Sequence, residues 1–129
     1  MNILVIGCGR MGSELAYRFF ERGHAVSVVD LDQSSFDSIP SNFMGRTIEG
    51  DAMNPDVLRR AGIAECEALA AVTSSDATNL VVAHLARQKF QIPHVVARNF
   101  DPRFRKLYEI FNLQGVCATG WAAQRLEEM

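Results

Sequence analysis

Short apolar runs alternate with amphipathic stretches along the chain, most of them separated by glycine, proline or a cap residue. Asn2 to Ile6 is β-rich and stops at Gly7, the pattern of a strand buried on both faces. From Arg10 to Arg22, Met11, Leu15 and Phe19 fall on one face of a helix, and Gly23 is its natural stop. Ala25 to Val29 predicts a second strand ending at Asp30, Gln33 to Phe43 a short, weak helix interrupted by Pro40, and Arg46 to Glu49 a third strand. Asn54 and Pro55 open a helix to Ala61, as cap and first helical residue, and Gly62 ends it. Ala68 to Val72 predicts the fourth strand, and the polar segment Thr73 to Asp76 starts a helix that runs to about Phe90. After Pro93, His94 to Ala97 predicts a fifth strand, Asp101-Pro102 begins a helix to about Asn112, Gly115 to Ala118 predicts a sixth strand, and a helix starts near Gly120.

Strands that alternate with helices require crossover connections, which give a parallel sheet covered on both faces. Right-handed crossovers and two βαβαβ halves predict an α/β, Rossmann-type doubly wound sheet of six strands in the order 3-2-1-4-5-6. The 129 residues suit one domain, and 48% hydrophobic residues supply a core without a metal or disulfide staple. A net charge of −2 with no run of Lys or Arg argues against nucleic acid as a partner. Cys8, Cys66 and Cys117 are odd in number and widely spaced, and read as free thiols in a reducing cytosol. No apolar run reaches the ~18 residues of a membrane span. The apolar start runs straight into a glycine loop, so it reads as a strand rather than a signal peptide. The chain reads as cytoplasmic, reaching a membrane only through a partner.

The segment Gly7-Cys8-Gly9-Arg10-Met11-Gly12 is GxGxxG. Alone that pattern is weak. Here it follows a strand, opens a helix, and is followed about 20 positions on by an acidic residue ending the next strand, which makes a dinucleotide fingerprint. Gly7 permits the tight turn, Gly9 admits a pyrophosphate, and Gly12 lets the helix pack closely. The helix N-terminus supplies unpaired N–H groups and partial positive charge. Asp30 suits ribose hydroxyls and repels a 2′-phosphate, and neither Leu31 nor Gln33 is basic, so NAD(H) or ATP/ADP fits and NADP is disfavoured. Asp32 suits either the ribose or a solvated turn, and Arg10 either a phosphate or solvent. Cys8 reads as a small loop residue.

Further short segments extend the pattern: Gly50-Asp51-Ala52, Thr73-Ser74-Ser75-Asp76 with Asn79, Ala97-Arg98-Asn99 and Gly115-Val116. With the glycine loop and Val29-Asp30-Leu31-Asp32, this ordered set resembles the N-terminal nucleotide-binding domain of the RCK/KTN family, also called TrkA-N, over almost the whole chain. The resemblance implies one nucleotide-binding domain over residues 1–129, without the second regulatory domain of fuller members. It implies an adenine-nucleotide-binding regulator of a potassium channel or transporter, acting as a homodimer or higher assembly. It places Asp51 and Ala52 beside the adenine, Thr73, Ser74, Asp76 and Asn79 along the crevice, and Arg98 within reach of phosphates. The residues also allow plainer roles: Asp51 shaping a turn, Ser74, Ser75 or Asp76 capping a helix, Arg98 pairing with a surface carboxylate. Phe104, Leu107, Tyr108 and Phe111 form a helical stripe that reads as core, leaving Phe100 and Trp121 as candidate interface aromatics.

An enzymatic alternative is a small NAD-dependent oxidoreductase, or the cofactor domain of one. His24 and His94 fall at the sheet end away from the crevice and His84 lies inside a helix, so none suits acid–base chemistry. There is no Tyr-x-x-x-Lys pair, no zinc motif and no P-loop. The reading is a binding module without catalytic residues.

Overall fold

The computed structural model describes residues 1–116 and Leu126. Its sheet has six strands, β1 (Asn2–Ile6), β2 (Ala25–Asp30), β3 (Arg46–Glu49), β4 (Ala68–Ala71), β5 (His94–Arg98) and β6 (Gln114–Val116). All neighbours are parallel and the order is β3-β2-β1-β4-β5-β6, as the sequence predicts. The helices are α1 (Arg10–Glu21), α2 (Pro55–Arg60), α3 (Asp76–Gln88) and α4 (Arg105–Ile110), with 3-10 turns at Gln33–Ser38, Ile63–Glu65 and Pro102–Phe104.

The central strands are largely apolar, and their two-residue period divides them between two cores. Ile3 and Val5 join Val26, Val28 and Ala70 beneath Ala16 of α1 and Phe36 and Ile39 of the β2–β3 connection. Leu4 and Ile6 join Val29, Leu69 and Ala71 against α2, α3 and Tyr108 of α4. Small residues face each other where α3 meets the sheet, with Ala83 and Ala86 fully buried over Ala71 and Ala97.

Polar side chains fasten the β4–β5 half. Asn79 is fully buried; its Oδ1 accepts from the Thr73 amide (2.9 Å) and hydroxyl (2.7 Å), and its Nδ2 donates to the carbonyls of Thr73 and Arg98. The Tyr108 hydroxyl donates toward the carbonyls of Asp76 (2.9 Å) and Arg98 (2.8 Å), tying α4 to both loops.

Three expectations change. The weak helix over 33–43 is a 3-10 turn ending at Ser38, because the Asp32 side chain holds the Ser34 amide and Ile39 returns to extended backbone. The helix expected over 102–112 divides into a 3-10 turn and the short α4, and Asn112 at φ 55° closes the segment in the left-handed region that Asn tolerates. The 104–111 stripe is not all core: Tyr108 is buried, but Leu107 and Phe111 are about two-fifths exposed, at 40% and 39%. Cys117, Ala118, the helix expected from Gly120 and Trp121 lie outside the described residues.

Burial, and then the charge of Asp76, pushes the Tyr108 phenol up to about 12, above its ordinary 10. A raised phenol favours the protonated folded state, so its contribution is whole below pH 10 and is lost as pH climbs from 10 to 12. Tyr108→Phe is expected to lower stability by about 1–2 kcal/mol at pH 7 in urea unfolding. The variant should also lack the tyrosine's share of the wild-type loss above pH 10. Equal alkaline profiles for the two proteins would show that the hydroxyl is not held as described.

Candidate functional site

A crevice of about 490 Å³ opens at the carboxyl ends of the strands, where the order reverses between β1 and β4. Gly7, Gly9 and Arg10 form its rim at α1, and Ile6, Val29 and Val72 form an apolar floor. Asp30, Leu31, Asp51 and Ala52 line the β2–β3 side, and Thr73, Ser74 and Arg98 the β4–β5 side. Ten of the residues expected at the site therefore converge on one cavity.

The turn that makes the rim is set by backbone contact. A Cβ on Gly12 would sit 1.7 Å from the Gly7 carbonyl oxygen, so the loop folds back on its own first glycine. Gly7 has φ 100° and lies against the backbone of Thr73, where a Cβ would meet Cα and N at 2.9 Å. Gly9 differs: a Cβ there would meet nothing within 4 Å. Space remains at the one loop glycine expected to face a pyrophosphate.

α1 begins at Gly9 with no side-chain cap, whereas Asn54 caps α2 and Ser75 caps α3. The first amides of α1 have no acceptor within the helix and carry the partial positive charge of a helix start, and Gly9 and Arg10 at that end line the crevice. Arg10 adds a full charge beside them, and no Asp or Glu pairs with Arg10 or Arg98 among the described residues. The Arg98 guanidinium instead lies over the Phe100 ring, 3.8 Å from its centre. An uncapped helix start, open space at Gly9 and two cations suit a phosphate or diphosphate.

Asp30 stands across from this rim at the end of β2. Its Oδ2 accepts from the Cys8 amide (2.7 Å) and its Oδ1 from the Asp32 amide (2.9 Å). One carboxylate thus braces the glycine loop against β2, and each oxygen keeps a second lone pair for a ligand hydroxyl. Asp51 holds its own turn, its Oδ1 accepting from the Met53 amide (2.9 Å), while still lining the cavity.

Six of the expected site residues do not line the crevice. Cys8 is buried in the loop, and Gly12 and Met11 face the packing between helix and sheet. Burial, and then Asp30, pushes the Cys8 thiol up to about 11, so it is no nucleophile at neutral pH. Asp32 is the cap of the 3-10 turn, its carboxyl held below the usual range by the Ser34 amide and hydroxyl. Asp76 turns inward, with Oδ1 on the Phe100 amide and Oδ2 on the Asp101 amide, both at 2.7 Å. Asn79 lies beneath the crevice wall as its fastener. Gly50 and Ser75, named within the longer segments, also line the cavity, and Ser35 and Thr78 do so without having been singled out. Thr78 had a signal, since it follows the cap Ser75 by three residues, in the first turn of α3.

Residues 3–117 match the family described as the TrkA-N domain. The chain is 40% identical over 126 residues to the Trk system potassium uptake protein TrkA of Streptomyces coelicolor, a match covering 98% of this chain and 56% of that relative. The chain thus spans little more than half the length of that protein. Among solved structures, the TrkA-N domain of the inner membrane protein ybaL from Escherichia coli superposes with a TM-score of 0.87 at 19% identity, covering 98% of this chain and 94% of that one. A Shewanella denitrificans Kef CTD in AMP-bound form gives 0.82 at 22% identity, covering 98% of this chain and 77% of the other. At these identities both likenesses concern the fold.

The loop geometry separates its glycines in their effect on folding. Gly12→Ala should cost more than about 3 kcal/mol, because a backbone carbonyl must move. Gly9→Ala should stay within about 1 kcal/mol, its conformation being open to any residue. Urea unfolding of the two variants checks this, and comparable losses would contradict the loop described.

Proposed function

The chain belongs to the TrkA-N domain family, and from that membership and its crevice we propose that it is an adenine-nucleotide-binding regulatory module of a potassium transport system. The observation that carries the reading is the uncapped start of α1 above open space at Gly9, with Asp30 opposite. Phosphates sit on the α1 amides beside Arg10, the ribose hydroxyls meet the remaining lone pairs of Asp30, and the adenine lies toward Asp51 and Ala52. The AMP moiety common to NAD(H), ATP and ADP fills that half. A 2′-phosphate there would face Asp30 and Asp51, which disfavours NADP. The AMP in the Kef neighbour supports this choice of ligand class.

The regulatory role rests on the potassium-uptake naming of the Streptomyces relative and on the makeup of the crevice. Among the described residues its lining includes no His, Lys, Tyr or Cys to move a proton beside a bound nicotinamide. No helix of the described residues is long and apolar enough to cross a membrane. The partner is an integral-membrane potassium channel or transporter subunit, reached from the cytoplasmic side, and the module works as a homodimer or larger assembly. The apolar surface of Leu107, Ile110 and Phe111 on and just after α4 is available for such contacts. Ligand control is then limited to the difference in nucleotide affinity between two conformations of the assembly.

An adenine nucleotide at one hundred times its Kd should stabilise the chain by about 2.7 kcal/mol, seen as a rise in Tm of several degrees. Gly9→Val should abolish that rise while keeping the unliganded melting curve. Persistent binding in this variant would move the phosphates elsewhere. Asp30→Arg should lower the NAD/NADP affinity ratio at least tenfold in calorimetry, and an unchanged ratio would take the carboxylate away from the ribose. Steady oxidation of NADH with carbonyl substrates would favour the oxidoreductase alternative.

A further inference from the structure

A second cavity, of about 430 Å³, lies at the amino ends of β1, β2 and β3, the opposite end of the sheet from the crevice. The strand period explains its polar floor. Leu4, Val29 and Ile48 belong to the core on the α2 side of the sheet. Two positions ahead of them, on the same face, stand Asn2, Ser27 and Arg46, and all three line the cavity. Beyond the end of α2 the chain turns at Gly62 (φ 86°) into the 3-10 turn that carries Glu65, a further lining residue.

Opposite charges flank this turn without pairing. Arg46 Nη1 and Glu65 Oε2 each lie 3.8 Å from the point that a Cβ on Gly62 would occupy. Neither side chain is in an ion pair among the described residues. Arg46 is anchored through Nη2, which donates to the Arg60 carbonyl (2.6 Å). The Glu65 carboxylate and the Ser27 hydroxyl, though they line the cavity, make no hydrogen bond among the described residues. A main-chain donor is free as well. The Ala25 amide bonds back to Met1 on the β1 side, so the Val26 amide points toward β3, ahead of the first rung of that pairing, Ser27 with Arg46. It has no acceptor among the described residues, although Val26 is only 4% exposed. A buried amide seldom goes without a partner.

The remaining lining is largely apolar, with Ile3, Phe20, Val26 and Met44. Thiol and metal chemistry are not available there. The Cys66 thiol donates to the Gly62 carbonyl (3.2 Å), and burial, then Glu65 and Glu67, push it up to about 11. Among the described residues no three His, Cys, Asp or Glu are grouped to hold a metal. A simple anion would meet Glu65, a simple cation would meet Arg46, and a neutral molecule would leave both charges unpaired. A molecule with both charges a few bonds apart satisfies the pair. We propose that this cavity binds an α-amino acid with an apolar side chain. Its ammonium goes to Glu65, its carboxylate to Arg46 Nη1, the Ser27 hydroxyl and the Val26 amide, and its side chain to Phe20 and Met44. The site stands apart from the nucleotide crevice and does not depend on that reading.

Calorimetric titration of the purified chain with L-leucine, L-methionine and L-phenylalanine tests it. Each is compared with its N-acetyl derivative, which lacks the ammonium, with its amide, which lacks the carboxylate, and with glycine, which lacks the side chain. At least one of the three is expected to bind at least tenfold more tightly than its own derivatives and than glycine. Glu65→Gln is expected to lower that affinity at least tenfold while keeping the wild-type melting curve. Arg46→Gln should do likewise, with Arg46→Lys restoring part of the loss. Absence of binding by all three at ~10 mM would overturn the proposal. So would derivatives that match their parent amino acids, which would make the cavity a plain apolar cleft. Undiminished affinity in Glu65→Gln, whose exposed carboxylate makes no other contact named here, would overturn it too.

Discussion

Where α1 leaves β1, the chain turns so tightly that the Gly12 backbone rests on the Gly7 carbonyl, with no room for a single methyl group. That contact aims the start of the helix at the carboxyl ends of the strands. It also leaves the first amides of α1 without acceptors, in a place where side-chain caps close both α2 and α3. Uncapped helix starts carry unsatisfied donors and a partial charge, so a fold that leaves one at a crevice leaves an anion site. The brace from Asp30 to the Cys8 amide sets the height of the loop over the sheet. The space at Gly9 follows from these two constraints rather than from any feature of Gly9 itself.

How the buried polar groups are satisfied determines which chemistry the crevice shows. Asp76, Asn79 and Tyr108 fasten the β4 and β5 loops by engaging main-chain amides and carbonyls, as buried groups must to offset desolvation. A consequence is that the wall they support keeps hydroxyl donors and a guanidinium but no carboxylate. Asp30 and Asp51 escape this fate because they end or follow strands nearer the open edge and retain lone pairs facing solvent. The polarity of the cavity, acidic toward β3 and donor-rich toward β5, is thus a by-product of how the two halves of the sheet are tied.

Much of this was legible in the residues. The short apolar runs marked every strand, and glycine and proline positions marked the ends of α1 and α2 to within a residue. The GxGxxG loop with a following acidic residue located the crevice, since both halves of that signal are local in sequence. Asp76 and Asn79 were misplaced for a physical reason. A polar residue at a helix start suits a ligand or a backbone amide equally, and its choice depends on loops 20 or more residues away, here the amides of Phe100 and Asp101. Thr78 was passed over for the complementary reason, that residues in a capped first turn look structural even when they also line a cavity. The 104–111 stripe misled because period alone marks an apolar face without saying whether anything in the same chain covers it.

The regulatory role proposed for the crevice would need a physical route from ligand to surface, and the fasteners of the β4–β5 half offer one. Arg98 contributes its guanidinium to the crevice and its carbonyl to Asn79 and Tyr108. Tyr108 belongs to α4, whose other face carries the exposed Leu107 and Ile110. A charge that shifts the end of β5 therefore acts on a buried hydroxyl one step from an apolar surface. If that link has two arrangements, a ligand biases them only by as much as it binds one better than the other. A site whose two halves present opposite chemistry can meet that requirement with ligands that share one nucleoside and differ only in what they extend toward Arg98.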